Sequence, residues 1–127
     1  MPHRSRLAVL LLDLLPGRHD VGRDFWSAAT GHPARPEPDE PEWTALGSFA
    51  GGWHLAVQRT GDGTPPRWHV DVETDDVPAE VARLAALGAR RLADMGGFWQ
   101  MTDPAGLVFC VVGVQTPEFD RFAVSWP

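Results

Sequence analysis

The chain has 127 residues, 43% hydrophobic and 22% charged, which is room for one domain with a real core. Its net charge of -6 argues against a protein that grips a phosphate backbone, because such a protein needs a basic face. The single cysteine, Cys110, excludes an intrachain disulfide and every CxxC or zinc-ribbon motif, and it gives no sign of an oxidising compartment. A cytoplasmic protein with neither a nucleic-acid nor a membrane partner is therefore expected. Tyr is absent and Trp numbers 6, so any aromatic pocket is built from Trp and Phe.

The N-terminal stretch MPHRSRLAVLLLDLLPG places basic residues before an apolar run, as a leader peptide does. Asp13 interrupts the run and no small-residue cleavage pattern follows, so Leu7 to Leu12 reads as a buried strand. The run is too short for a membrane-spanning helix. Val21, Phe25, Ala28 and Ala29 recur at i, i+4, i+7 and i+8, which predicts a helix from Val21 to Thr30 packed through that face, with Gly31 as its cap. The proline-rich HPARPEPDEP then reads as an extended loop, and its acidic part, Glu37 to Glu42, as a solvated linker. Trp43 to Phe49 and Trp53 to Thr60 are strand candidates joined at Gly51-Gly52.

RWHVDVE, Arg67 to Glu73, opens the second half as a strand. Side chains alternate across a strand, so His69, Asp71 and Glu73 share one face. Trp68, Val70 and Val72 share the other and are expected beneath a helix. Asp76 sits at a helix N-cap with Pro78 in the first turn, and Val77, Val81, Leu84, Ala85 and Gly88 mark the helix face. ARRLAD and FWQMTD are short strands, DPAG is a turn, and Leu107 to Val114 is another apolar strand. Both halves run strand, helix, strand meander, and their helices end alike, in AATG and AALG. A repeat of about 60 residues suits a duplicated half-domain. The expected fold class is α+β, with two βαβββ modules forming a curved, cup-like mixed sheet. Module one covers about 6–60, module two about 67–115, and a tail 116–127, all within one domain over 1–127.

The order βαβββ taken twice, with FW on the first helix, RWHVDVETDDVPAEVARLAALGAR opening the second unit and DPAGLVFCVV near its end, resembles the vicinal oxygen chelate superfamily. Within it, the chain is similar to glyoxalase-like and bleomycin-resistance-like domains. The resemblance covers Leu7 to Val114 and leaves out the tail. It implies a homodimer and a metal ligand on each of four strands, the first and last of each module. His69 matches the ligand that opens the second module, and Cys110 stands where the family has a glutamate. The first-strand position falls near Val9, which has no donor, and the last strand of the first module offers Ala56 or Gln58, with His54 on the same face.

These departures favour a protein that binds a small organic molecule in an aromatic, partly polar cup without the usual metal. The candidate ligand-binding residues are His69, Asp71, Gln58, His54, Trp53 and Trp99. No cofactor is expected on this reading. The alternative is a metal-dependent lyase, isomerase or related enzyme around His69 and Cys110, holding Zn, Ni, Mn or Fe. Cys110 is otherwise an inert buried thiol. Asp71 and Glu73 are either partners that polarise His69 or a solvent-facing row. Trp26 and Trp68 are expected in the core.

Overall fold

The computed structural model describes residues 2–61 and 63–127. Val9–Trp68 packs as one unit, and the segment ending at Ala8 packs with His69–Pro127 as another. Strand β1 (His3–Leu14) contributes to both.

In the first unit, β1 runs parallel to β4 (Trp53–Arg59), from Val9 opposite His54 to Leu14 opposite Arg59. β3 (Glu40–Phe49) lies antiparallel to β4, and β2 (Arg35–Glu37) antiparallel to β3. The strand order is thus β1-β4-β3-β2. Helix α1 (His19–Thr30) ends at Gly31, whose φ of 75° is the left-handed cap that the sequence predicts. Leu12, Leu46, Leu55 and Val57 form the core, with Leu10, Leu14, Trp26 and Ala34 packed against it.

Two expectations for this unit are corrected. Val21 and Phe25 are 63% and 62% exposed, so the apolar stripe of α1 faces outward. The helix instead approaches the sheet through Gly22, where a Cβ would collide with Leu14 Cδ1. Trp26, one turn on from Gly22, is the α1 residue packed on this core. HPARPEPDEP is also not all loop, because Arg35–Glu37 is β2. Its position at the sheet edge explains why Pro36 is tolerated, since one side of that strand has no ladder to serve.

The second unit repeats the plan. β5 (Arg67–Thr74) pairs parallel with β8 (Val108–Gly113), Asp71 lying opposite Cys110. β7 (Trp99–Thr102) is antiparallel to β8, and β6 (Arg90–Asp94) to β7, so the order β5-β8-β7-β6 matches the first unit. Helix α2 (Val77–Ala86) starts where Ala79 N donates to Asp76 Oδ1 at 3.1 Å. Its Val81 packs on Met101 and Val111. The DPAG turn closes on Asp103, whose Oδ1 accepts from Ala105 N and Leu107 N at 2.8 and 2.9 Å.

The tail is part of this unit. It forms helix α3 (Phe119–Phe122) and strand β9 (Val124–Trp126), which pairs antiparallel with the start of β1. The protein is therefore α+β, two βαβββ modules with mixed sheets and a C-terminal addition.

Candidate metal and ligand site

The face of β5 that carries His69, Asp71 and Glu73 is buried. Those residues are 7%, 3% and 0% exposed, while Trp68 is 50% exposed. Trp68 is therefore not core; it meets Trp26 edge to face at 5.3 Å. The solvent-facing alternative for Asp71 and Glu73 is overturned in the same way. Burying carboxylates is costly unless each finds partners. Glu73 finds them fully. Its Oε1 accepts from Arg6 Nε at 2.9 Å and Thr116 Oγ1 at 2.6 Å, and its Oε2 from the backbone N–H groups of Gln115 and Thr116 at 2.8 and 2.9 Å. Glu73 is thus a structural anchor that binds the tail to the strand.

Asp71 has different company. His69 Nε2 lies 3.5 Å from Asp71 Oδ1. Cys110 is the in-register neighbour of Asp71 on β8 and points to the same face. Donor atoms of His69, Asp71 and Cys110 all lie within 4.8 Å of one another, and all three side chains are buried. Ligand atoms around a tetrahedral zinc sit about 3.3–3.8 Å apart. The His69–Asp71 pair already has that spacing, and small side-chain rotations would bring in the third donor. Nitrogen, sulfur and one carboxylate oxygen suit zinc or a similar transition metal better than magnesium or calcium. The residues therefore fit the metal that the fold family often carries. Gln100 of β7, opposite Cys110, adds a half-buried amide to the same face. It escapes a sequence reading because only the β7–β8 register brings it there.

The other candidates are placed as follows. His54 and Gln58 are on β4 in the first unit, on the face away from the core residues Leu55 and Val57. Gln58 sits between Asp13 and Trp43. Asp13 is 1% exposed and accepts from Arg67 Nε at 3.1 Å, so the residue that breaks the N-terminal apolar run is a buried acid on this face. Trp53 packs against Phe49 at 6.1 Å beside the β3–β4 connection. Trp99 stands opposite Val111 and packs with the Val81, Met101 and Val111 cluster, on the side of β8 away from Cys110.

A further buried carboxylate, Glu80, lies on α2. His3 Nε2 donates to Glu80 Oε1 at 2.8 Å, and Arg83 donates from Nε and an Nη at 2.7 and 2.9 Å. Burial alone would raise the Glu80 pKa. Hydrogen bonds from Arg83, Ser5 and His3, with the Arg83 charge, outweigh it and hold the carboxyl below its ordinary value.

Fold and face together define a two-module βαβββ protein with a buried His–Asp–Cys group in its second module. A profile of the glyoxalase-like domain matches residues 12–112. The chain belongs to the glyoxalase-like domain family, within the vicinal oxygen chelate superfamily that the sequence resembles. Solved structures of similar fold include the NAD-dependent benzaldehyde dehydrogenase from Legionella pneumophila, at TM-score 0.63 and 8% identity over 84% of this chain and 98% of that one. A Streptomyces coelicolor methylmalonyl-CoA epimerase bound to 2-nitronate-propionyl-CoA gives 0.55 and 16%, over 87% and 98%. The Mycobacterium tuberculosis methylmalonyl-CoA epimerase gives 0.57 and 13%, over 91% of each chain. At these identities the likeness is one of fold. No curated protein sequence matches the chain. No helix among the described residues is long and apolar enough to cross a membrane.

Proposed function

We propose that this protein binds a small organic molecule at a divalent metal centre held by His69, Asp71 and Cys110. The observation that carries the reading is the meeting of three buried donors across the β5–β8 ladder. Sequence reasoning favours a metal-free cup, because it counts Val9 and Cys110 as losses and leaves Asp71 out of the ligand set. With Asp71 included, the second module supplies three ligands by itself. Three protein ligands leave a coordination position for an oxygen of a bound molecule or for water. A metal there would polarise a carbonyl or enolate oxygen of the ligand. Asp71 would balance the ion's charge, and the Gln100 amide would orient the ligand. Lyase or isomerase chemistry is the catalytic form of this reading; the epimerase neighbours support it only through the shared fold.

Metal-free binding is the second reading. The His69–Asp71 pair at 3.5 Å favours it, since each group already compensates the other. Elemental analysis of purified protein and Co²⁺ substitution separate the two. The metal reading expects a stoichiometric ion and a thiolate-to-cobalt charge-transfer band that Cys110→Ser removes. No ion, no band and no thermal shift with Zn, Ni, Mn, Co or Fe would sink it. The metal-free reading expects Cys110→Ser to leave ligand affinity nearly unchanged.

The proposal includes a homodimer. Its support is the outward apolar face of α1, where Val21 and Phe25 are exposed beside Ala28 and Ala29. Sedimentation of a Phe25→Glu variant tests it: a dimer that persists would exclude this face as the interface.

A further inference from the structure

We propose that the first unit carries a separate site for an oxyanion, a carboxylate or phosphate group, in the cavity between His32, Arg35, Ser48 and His54. This cavity of about 360 Å³ is completed by Pro33, Ala45 and Gly47. Its lining has two imidazoles, a guanidinium and a hydroxyl, and no carboxylate. In a chain of net charge -6, a concave surface whose polar side chains include a guanidinium and no carboxylate is a local exception. Arg35 makes no ion pair among the described residues, so its guanidinium is available for the paired hydrogen bonds that match carboxylate and phosphate.

The local backbone is arranged around these groups. The β3–β4 register shifts between Ala45 and Ser48, a bulge that sets Ser48 opposite His54. Gly47, within that bulge, has a φ of 99°. A Cβ there would stand 2.8 Å from His32 Nδ1, so only glycine lets the imidazole lie against this strand. His32 is held from the helix side as well. Ser27 Oγ donates to the His32 carbonyl at 2.5 Å, and His32 N donates to Thr30 Oγ1 at 3.3 Å. Arg35 stands opposite Ala45 on β2. The helix cap, the edge strand and the bulge therefore deliver three donor groups to one cavity. Such convergence marks a binding site more than a surface accident.

The site stands on the first unit alone and is independent of the reading at His69. Inorganic phosphate and acetate are the probes, titrated at fixed pH and ionic strength while the histidine ring resonances are followed by NMR, with His32→Gln and His54→Gln assigning the signals. Saturable shifts of His32 and His54 with either ion are expected, and which ion binds more tightly identifies the preferred group. Arg35→Gln should weaken binding about tenfold or more, the size of a lost charged hydrogen bond. Gly47→Ala should weaken it by displacing His32. His69→Ala should leave it unchanged, whatever that variant does to metal content. Absence of shifts with both ions at millimolar concentration would overturn the proposal, and so would equal binding by wild type and Arg35→Gln.

Discussion

The two modules share a backbone plan and differ in the chemistry of one face. Each closes on a parallel pair, β1 with β4 and β5 with β8, and each helix gives way to a glycine of positive φ, 75° at Gly31 and 110° at Gly88. Each also buries an acid beside the last strand of its meander, Asp13 opposite Gln58 and Asp71 opposite Cys110. The acids are neutralised differently. Asp13 takes a hydrogen bond from Arg67, a permanent cation that would repel a metal ion. Asp71 faces His69, an imidazole, which on the reading proposed above would join it as a ligand. Two residues before Asp13 stands Leu11, opposite Ala56, where the second module has His69. Duplicated topology thus places equivalent positions, and on the proposed reading the partner of one buried carboxylate would separate the module that holds a cation from the one that does not.

The largest expected effect tests that contrast directly. Asp71→Asn should lower zinc affinity by well over about tenfold, since even an outer partner of a metal ligand costs 10–100-fold. Asp13→Asn should leave zinc content unchanged, as measured by equilibrium dialysis and elemental analysis. Equal loss in both variants would mean that the donor set is not confined to the second module. Next comes the buried ion pair. Glu73→Ala removes the buried acceptor for Arg6 Nε, Thr116 Oγ1 and the N–H groups of Gln115 and Thr116, and should cost about 3–5 kcal/mol in urea unfolding. Asp13→Ala should cost less, because the Arg67 side chain is 30% exposed and can return to water.

The helices differ as well. α1 meets the sheet at a missing side chain; a Cβ at Gly22 would push on Leu14 Cδ1, the tip of a side chain that can turn, and with alanine's better helix propensity Gly22→Ala should change stability by less than about 1 kcal/mol. α2 depends on a present one. Asp76→Ala removes the acceptor for Ala79 N and should cost about 1 kcal/mol. α1 has no side-chain cap of this kind, its N-cap being Arg18. Thermal or urea unfolding of the two variants ranks them; a Gly22→Ala variant that costs more than Asp76→Ala would mean that Leu14 cannot turn aside.

The alternation in RWHVDVE, the AATG and AALG helix ends and the Asp76 cap are local signals, and they specified both modules in sequence. Which side of a helix or strand is buried is not local. Val21 and Phe25 read as a core face because periodicity does not show that Trp26 is the residue that packs on Leu12, Leu46, Leu55 and Val57. The sequence leaves the β5 face open between partners of His69 and a solvent-facing row because Arg6 and Thr116, which compensate Glu73, are 67 and 43 residues away. The same distance hides the site. Asp71 and Cys110 become neighbours only through the β5–β8 register, and Gln100 joins them only through β7. The tail has no family pattern to announce it, and its role appears when Trp126 Nε1 donates to Ser5 Oγ at 2.9 Å.

The smallest effect separates the two helices by their response to acid. Glu80 on α2 has a depressed pKa in the folded protein despite its burial, through Arg83, Ser5 and His3. A depressed carboxyl stabilises the fold above its unfolded value, about 4.3 for glutamate, and loses that contribution as pH falls through the lower folded value. Asp20 on α1 is also lowered, first by its hydrogen bond with His19 and then by Arg23, but its side chain is 77% exposed. Solvent screens such a pair, so little stability follows from it. Urea unfolding between pH 6 and about pH 3 should therefore show wild type losing its advantage over Glu80→Gln as the acid limb is crossed. Asp20→Asn should track wild type throughout. A flat difference between wild type and Glu80→Gln would mean that the His3–Glu80–Arg83 cluster acts by shape and hydrogen bonding alone, with no net preference for the ionised carboxylate.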